Sequence, residues 1–198
     1  MFHRVTIRVA DLEASERFYD TVLETLGIDR RSSEFSIEPR DGEHPVTRSL
    51  HIGFQAPSRA KVDEFWRVGT AAGHPDDGPP GPRPQYTPDY YGSFLLDPDG
   101  NSAEAVHHSA MRGEGAIDHL WIRVADVDAS KRFYGDIAAH AGFRLVDEVP
   151  ARARFAAEHG GSFTLLAGRP TENLHMTFRG SVSGVRVDPD GNRVEIVS

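Results

Sequence analysis

The sequence contains no cysteine among its 198 residues. Disulfide bonds, thiol nucleophiles and thiolate metal ligands are therefore excluded, and any bound metal must be held by nitrogen and oxygen atoms. Long hydrophobic runs are also lacking, because the apolar stretches span only a few residues where a bilayer needs roughly 20. The N-terminal segment lacks the apolar core of a secretory signal, so we expect a cytoplasmic protein without a membrane segment.

Basic charge is scarce as well. Lys and Arg number 22 against 30 Asp and Glu, which gives a formal net charge of −8 with neutral His. An acidic chain without a long basic run argues against a nucleic-acid partner and against binding to an anionic membrane. What the chain does have is ten His and a hydrophobic fraction of 38%, which is enough to bury a core.

The sequence repeats itself. Residues 7–19 (IRVADLEASERFY) return as residues 122–134 (IRVADVDASKRFY), with ten of the thirteen positions identical. Two further motifs recur in the same order, an LHxxF segment and the turn sequence DPDGN (49–54 and 173–178; 97–101 and 188–192). Three landmarks in the same order, twice, indicate an internal duplication.

Each copy opens with a strand and a helix. The alternation of apolar residues after position 4 predicts a strand, and Asp11 and Asp126 are suited to cap the helices that follow. A second helix is predicted from Ser58 to about residue 72, after the first LHxxF segment. After the second LHxxF segment only five residues, RGSVS, precede the next strand, so the second copy has no room for this helix.

The strand–helix–strands pattern, a His in the first strand, the LHxxF strand and a Glu after DPDGN resemble the vicinal oxygen chelate superfamily. That superfamily includes glyoxalase I, bleomycin-resistance proteins and extradiol dioxygenases. The resemblance implies an α+β fold of tandem βαβββ modules around a metal or ligand cavity. It divides the chain into a first glyoxalase-like domain (residues 1–110) and an abbreviated second domain (residues 117–198).

The resemblance also implies a metal site built from a first-strand His, a middle-strand His and a last-strand Glu. In the second domain these are His119, His175 and Glu195. The alternation of strand residues supports His119 as a ligand. His119 shares a strand face with Trp121 and Arg123, and the opposite face is apolar and must pack on the helix, so His119 is expected to face the cavity.

The first domain offers a possible second site, in which His51 and Glu104 match the motif but the first ligand is open. Aligning the repeats places Arg4 opposite His119, whereas His3 lies one residue out of register. A one-residue slip turns a side chain to the other face of a strand. Either the first site is metal-free, with Arg4 holding an anionic group, or His3 becomes a ligand through a β-bulge.

Aromatic and cationic residues are the candidate substrate-binding groups. Tyr86, Tyr90 and Tyr91 lie in a Pro- and Gly-rich segment (77–92) that we expect to be a loop beside the cavity, and their rings are suited to stack on a planar ligand. The other candidates are Trp121 and Arg123, which share a strand face with His119, and Arg4, which aligns with His119 in the first repeat.

The resemblance implies a divalent metal ion as cofactor (Fe(II), Mn, Zn or Ni) and dioxygenase, lyase or isomerase chemistry on a small oxygenated metabolite. The alternative is a metal-free protein that sequesters an antibiotic or metabolite, as bleomycin-resistance proteins do. Members of that kind are often dimers, so a homodimer is an open alternative for the assembly. Metal content separates the two hypotheses.

Overall fold

The computed structural model describes residues 1–109, 113, 115–158 and 160–198. The described residues form thirteen strands and three helices, a mixed α+β architecture that confirms the predicted class. The first half contains β1 (Phe2–Val9), α1 (Leu12–Thr25), β2 (Phe35–Pro39), β3 (Leu50–Gln55), α2 (Arg59–Ala71), β4 (Asp76–Pro82), β5 (Tyr91–Leu96) and β6 (Ser102–His107). The second half contains β7 (Ile117–Val124), α3 (Val127–Ala141), β8 (Arg144–Val149), β9 (Arg152–Ala156), β10 (Ser162–Ala167), β11 (His175–Arg179), β12 (Gly184–Val187) and β13 (Arg193–Val197).

The strands form two sheets, and each sheet draws strands from both halves. An eight-stranded sheet has the order β4-β5-β6-β3-β7-β10-β9-β8, and a five-stranded sheet has the order β12-β13-β11-β1-β2. The two halves expected from the repeat therefore do not fold into one sheet each. Strand β1 of the first half pairs with β11 of the second, and β3 of the first half pairs with β7 of the second.

The two central modules are complete and the two outer ones are short. Strands β3 to β6 with α2, and β7 to β10 with α3, each form a βαβββ unit in the eight-stranded sheet. The N-terminal unit has only β1, α1 and β2, and the C-terminal unit has three strands. The predicted lack of a helix between β11 and β12 is confirmed, because only residues 180–183 connect them.

All three helices begin where the sequence predicts. The side chains of Asp11, Ser58 and Asp126 accept hydrogen bonds from backbone N–H groups of the first turns, which satisfies donors that a helix leaves unpaired. Helix α3 ends at Gly142, whose φ of 69° is the left-handed conformation that favours glycine at this position. None of the helices in the described residues is long and apolar enough to cross a membrane.

The DPDGN turns recur because each anchors a helix. The hydroxyl of Tyr19 on α1 donates to Asp97 at 2.9 Å, and the hydroxyl of Tyr134 on α3 donates to Asp188 at the same distance. All four side chains are buried. The bond from Tyr19 joins the first module to the turn of the second, so the repeated motif is explained by packing rather than by chemistry.

Strand β4 differs from the loop expected over residues 77–92. The segment Asp76–Pro82 (DDGPPGP) pairs with β5 as the edge strand of the eight-stranded sheet, with irregular register on both sides of Gly78. Proline is tolerated in an edge strand because its missing N–H faces away from the ladder. The Pro- and Gly-rich composition of this segment predicted a loop. The prediction was wrong for residues 77–82, because an edge strand tolerates these residues.

Candidate metal centre

Three ionisable side chains converge on the face of the eight-stranded sheet. His51 on β3 and Glu104 on β6 lie on neighbouring strands, and His119 lies on β7, the strand on the other side of β3. Glu104 Oε2 is 2.9 Å from His51 Nε2 and 3.2 Å from His119 Nε2, and the two imidazole Nε2 atoms are 3.3 Å apart. We call these three residues the central cluster; their geometry could hold a metal ion.

Both imidazoles are oriented through their second nitrogen. His119 Nδ1 lies 2.9 Å from the carboxylate of Asp118, and His51 Nδ1 lies 3.2 Å from the hydroxyl of Ser102. Such partners fix the tautomer and the direction of a histidine ring, as is usual around metal-binding histidines. In both residues the Nε2 atom is thereby left to face Glu104.

The carboxylate of Glu104 is held in the same way. The hydroxyl of Tyr90 donates to Glu104 Oε1 at 2.6 Å, while Oε2 faces the two histidines. The side chain of Glu104 is fully buried. A side chain at Gly92 would collide with it, because a Cβ there would lie 2.4 Å from Oε1. Glycine at this position in β5 therefore leaves the space that the carboxylate occupies.

A second glycine leaves room for the ring of His119. Gly53 lies opposite His119 in the β3–β7 ladder. A Cβ at Gly53 would lie 2.4 Å from His119 Cε1 and 2.7 Å from Nδ1, closer than real Cβ contacts come. The imidazole can lie across β3 towards Glu104 only because this residue has no side chain.

The charges of the cluster balance one another. Burial would raise the pKa of Glu104, but hydrogen bonds from His119 and His51 outweigh it and lower this pKa to about 2. Burial would lower the pKa of His119, but its bonds to Asp118 and Glu104 raise it to about 9. For His51 burial dominates and the pKa falls. A cationic His119 therefore lies between two carboxylates, which is an environment that favours a positive charge.

Two cavities open beside the cluster, separated by the rings of Tyr86 and Trp121, which meet edge to face at 5.2 Å. One, of about 430 Å³, has His119 in its wall, and the other, of about 460 Å³, has His51. The indole of Trp121 also stacks on the ring of His51 at 4.5 Å. Cavities of this size, with aromatic walls, are typical of sites for small molecules.

The ligand grouping implied by the resemblance, His119 with His175 and Glu195, is not the one that the structure brings together. His175 on β11 and Glu195 on β13 lie in the five-stranded sheet, whereas His119 lies in the eight-stranded sheet. We call them the outer pair. Their Nε2 and Oε2 atoms are 3.1 Å apart, and Arg193 donates to His175 Nε2 at 3.3 Å. The reason is the exchange of strands between the halves, which places His119 beside the first half's His51 and Glu104.

The central cluster and the outer pair occupy equivalent places in the two sheets. Three residues occupy equivalent positions, because each lies seven residues before the N-cap of the helix that follows it. His51 precedes Ser58, His119 precedes Asp126, and Arg4 precedes Asp11. Arg4 thus stands in the five-stranded sheet where a histidine stands in the eight-stranded one. The sequence alignment of Arg4 with His119 therefore agrees with the structure.

The register of the ladders completes the correspondence. Glu104 lies opposite the residue two places beyond His51, and Thr164 lies opposite the residue two places beyond His119. Thr164 is therefore the counterpart of Glu104 on the other side of the central cluster. In the five-stranded sheet, Glu195 lies opposite the residue two places beyond His175 in the same manner. The central cluster thus has one carboxylate and a threonine at its two equivalent positions.

The two candidates for the first ligand of the first half lie in the other sheet. Strand β1 does have an irregular register at His3, between Phe2 and Arg4. This strand belongs to the five-stranded sheet, so neither His3 nor Arg4 is brought to His51 and Glu104. Arg4 is exposed at its strand position.

The other candidate residues are divided between the two faces of the large sheet. Tyr86 and Trp121 line both cavities, and Arg123 lines the cavity beside His51. Tyr90 contacts the cluster directly. Tyr91 lies on the opposite face, where its hydroxyl donates to Asp63 of α2 at 2.8 Å, because neighbouring residues of a strand point to opposite faces.

The sequence hypotheses missed the residues that support the ligands. Asp118 and Ser102 carry no motif of their own, and they become recognisable only once the ligands beside them are known. Gly53 had a usable signal, because a glycine inside a strand often marks a close approach of another group. Gly53 follows His51 by two residues in LHIGF, so both lie on the same face of the strand. A glycine there indicates that a side chain from a neighbouring strand approaches the backbone beside His51.

No protein-family model matches the chain. No curated protein matches it either. Solved structures do: glyoxalase I from Zea mays has a TM-score of 0.68 at 16% identity, covering 100% of this chain and 92% of its own. A candidate dioxygenase from Bacillus subtilis has a TM-score of 0.64 at 14% identity, covering 98% and 84%.

A shorter protein matches part of the chain. A glyoxalase/bleomycin resistance protein from Albidiferax ferrireducens is 35% identical over 52% of this chain and 94% of its own, with a TM-score of 0.45. The likeness to the two full-length structures, at such low identity, concerns the fold. The fold shared with glyoxalase I and the candidate dioxygenase confirms the fold that the resemblance to the vicinal oxygen chelate superfamily implied.

Proposed function

We propose that this chain, which has the fold of the vicinal oxygen chelate superfamily, is a metal-dependent enzyme that acts on a small oxygenated metabolite. The metal ligands in this proposal are His51, Glu104 and His119. The observation that carries it is the convergence of two imidazole nitrogens and one carboxylate oxygen within 2.9 to 3.3 Å of one another.

The residues fit a divalent ion. Ligand atoms about 2.1 Å from one metal ion lie roughly 3.0 to 3.4 Å from each other in tetrahedral or octahedral arrangements, and the three separations in the cluster lie close to that range. Two imidazoles and a carboxylate suit Fe(II), Mn, Zn or Ni. The glycines at positions 53 and 92 leave the space that the ligand side chains fill.

A bound divalent ion would supply Lewis-acid chemistry to a coordinated substrate oxygen. The chain's own residues do the rest. Asp118 and Ser102 hold the imidazoles with Nε2 towards the centre, and Tyr90 fixes the carboxylate of Glu104. Because Thr164 stands at the position equivalent to Glu104, the described residues supply three protein ligands, and the coordination positions left open on a bound ion would suit a substrate that presents two neighbouring oxygens.

The walls of the two cavities determine access. Tyr86 and Trp121 stand between the cavities and cover the cluster with apolar ring surface. Partial exclusion of water strengthens electrostatic interactions at the centre. In this proposal Tyr86 and Trp121, which line both cavities, also contact the substrate. Tyr91, on the other face, has no part in this proposal.

Metal titration of the purified, metal-stripped protein tests the proposal. We expect one equivalent of Zn²⁺ or Mn²⁺ to bind in calorimetry, and His119→Ala to abolish this binding. His175→Ala is the matched control, because it removes the equivalent histidine of the five-stranded sheet, and it should bind metal like the wild type. Failure of the wild type to bind any of the four candidate metals would refute the enzyme proposal.

The sequestration hypothesis is the other outcome of the same experiment. It gains support if the protein binds no metal and small ligands still bind beside Trp121. The homodimer and the cytoplasmic location stay predictions, which size-exclusion chromatography with light scattering and cell fractionation would test.

A further inference from the structure

His108 is a buried histidine that lies just beyond β6 and outside the central cluster. Only 6% of its surface is exposed, and neither of its ring nitrogens has a hydrogen-bond partner among the described residues. A buried imidazole in this state destabilises the fold unless an electrostatic partner compensates for the lost contact with water. His108 therefore needs a charged neighbour, and Asp118 is one.

This neighbour is the same carboxylate that orients His119. His108 Nε2 lies 3.6 Å from Asp118 Oδ1, the oxygen that is also 2.9 Å from His119 Nδ1. A separation of 3.6 Å is longer than a hydrogen bond. An N–H group and a carboxylate nevertheless attract each other strongly when both are buried, because the effective dielectric constant is low. With a proton on Nε2, His108 therefore stabilises the position of Asp118 Oδ1.

A β-bulge brings Asp118 to the side of the sheet where His119 lies. Neighbouring residues of a strand normally point to opposite faces, yet Asp118 and His119 line the same cavity. In the β3–β7 ladder, Gly53 is opposite His119 and Phe54 is opposite Ile117, so Asp118 is an extra residue in β7. Bulges beside functional sites commonly re-aim a side chain in this way.

His108 also contacts a second support of the central cluster. Its ring meets the ring of Tyr90 edge to face, with the centroids 5.1 Å apart, and the hydroxyl of Tyr90 donates to Glu104 Oε1. The backbone beyond His108 is held by Asp89, whose carboxylate accepts hydrogen bonds from the N–H and the hydroxyl of Ser109. His108 is thus a fixed residue that touches the supports of two candidate ligands.

We propose that His108 is a positioning residue of the candidate metal centre, which acts through Asp118 to hold His119 in the orientation that a metal ion requires. The inference rests on the proposed function for its consequence, the metal affinity. A carboxylate bonded to a ligand histidine fixes the ring and raises its basicity. Here a further imidazole fixes the carboxylate, so the supporting arrangement extends one residue beyond Asp118.

Two substitutions separate the electrostatic role of His108 from simple packing. His108→Leu fills much of the same space without a polar atom, whereas His108→Gln retains a side-chain N–H donor. In calorimetry the Kd for Zn²⁺ should rise roughly tenfold in His108→Leu and should stay within about threefold of the wild type in His108→Gln. His107→Leu is the matched control, because the ring of His107 bonds to the backbone carbonyl of Ala56 at 2.9 Å, and it should leave the Kd unchanged.

A double-mutant cycle tests whether His108 acts through Asp118. Asp118→Asn alone should weaken Zn²⁺ binding by about 10-fold to 100-fold. Adding His108→Leu to this variant should change the Kd by less than about twofold, because residues of one network have non-additive effects. Circular dichroism checks that all variants are folded. An unchanged Kd in His108→Leu, a loss in His108→Gln equal to that in His108→Leu, or additive effects in the cycle would each overturn the inference.

Nuclear magnetic resonance of the metal-free protein distinguishes this inference from the proposed function. The side-chain nitrogen chemical shifts of His119 report its tautomer and the hydrogen bond at Nδ1, and they should move in His108→Leu but not in His107→Leu. If the wild type binds no metal and the shifts move, the enzyme proposal is refuted and the positioning of His119 by His108 is supported. If the wild type binds metal and the shifts stay, only the role of His108 is refuted.

Discussion

The two sheets of this molecule present the same ligand positions with different residues. In the eight-stranded sheet, His51, Glu104 and His119 converge, and Glu104 is fully buried. In the five-stranded sheet, Arg4 takes the place of a histidine, and Glu195 is 28% exposed. One set of positions gives a central cluster with supported ligands, and the other gives only the outer pair.

The difference lies in what surrounds each carboxylate. Glu104 accepts a hydrogen bond from Tyr90 and faces two imidazoles that are themselves oriented by neighbours. Glu195 faces His175 and lies 3.7 Å from Arg193, whose charge would repel a metal cation. Matching residue types are therefore insufficient for a metal site, and the supporting residues distinguish the two regions.

The largest effect is expected from Glu104→Gln. This change keeps the shape of the side chain and removes the charged ligand between the two imidazoles, so the Kd for Zn²⁺ should rise by about 100-fold or more. Calorimetry of the metal-stripped protein measures the change. Glu195→Gln is the matched variant in the other sheet and should alter the Kd less than twofold. Equal losses in the two variants would contradict the distinction between the sheets.

A smaller loss is expected from Gly53→Ala, which changes no ligand. The added methyl would overlap the ring of His119 and force it out of line, so the Kd for metal should rise about tenfold or more. Overpacking of this kind also costs about 1 to 3 kcal/mol of unfolding free energy, measurable by chemical denaturation. Gly184→Ala serves as the control, because a Cβ at Gly184 meets nothing within 4 Å. Unchanged metal binding in Gly53→Ala would show that His119 is not a ligand in this orientation.

The smallest of the three effects is expected from Tyr90→Phe. Loss of the hydroxyl releases Glu104 Oε1 without removing a ligand, and partners of ligands are typically worth about 10-fold to 100-fold in metal affinity. We expect the lower end of that range. Tyr91→Phe is the neighbouring control, because its hydroxyl contacts Asp63 on the other face. A structural role alone would lower the stability of Tyr90→Phe and leave its Kd for metal unchanged.

Much of the fold could be predicted from local signals. Short segments of sequence predict the helix caps at Asp11, Ser58 and Asp126 and the lack of a helix between β11 and β12. Strand alternation places His119, Trp121 and Arg123 on one face, opposite buried apolar residues. These features depend on neighbours a few residues apart, which a single sequence contains.

The pairing of the halves could not be predicted in the same way. Because the two copies share ten of thirteen residues over their first strand and helix, the pattern is equally compatible with sheets within or between halves. The choice decides whether His119 meets His51 or His175. It depends on long-range packing, such as the bond from Tyr19 to Asp97 between the first and second modules.

Anomalous diffraction from crystals grown with Zn²⁺ or Mn²⁺ tests the central claim most directly. The account predicts one strong peak per chain, bounded by Glu104 Oε2 and the Nε2 atoms of His51 and His119. A peak at His175 and Glu195, with none at the central cluster, would contradict it.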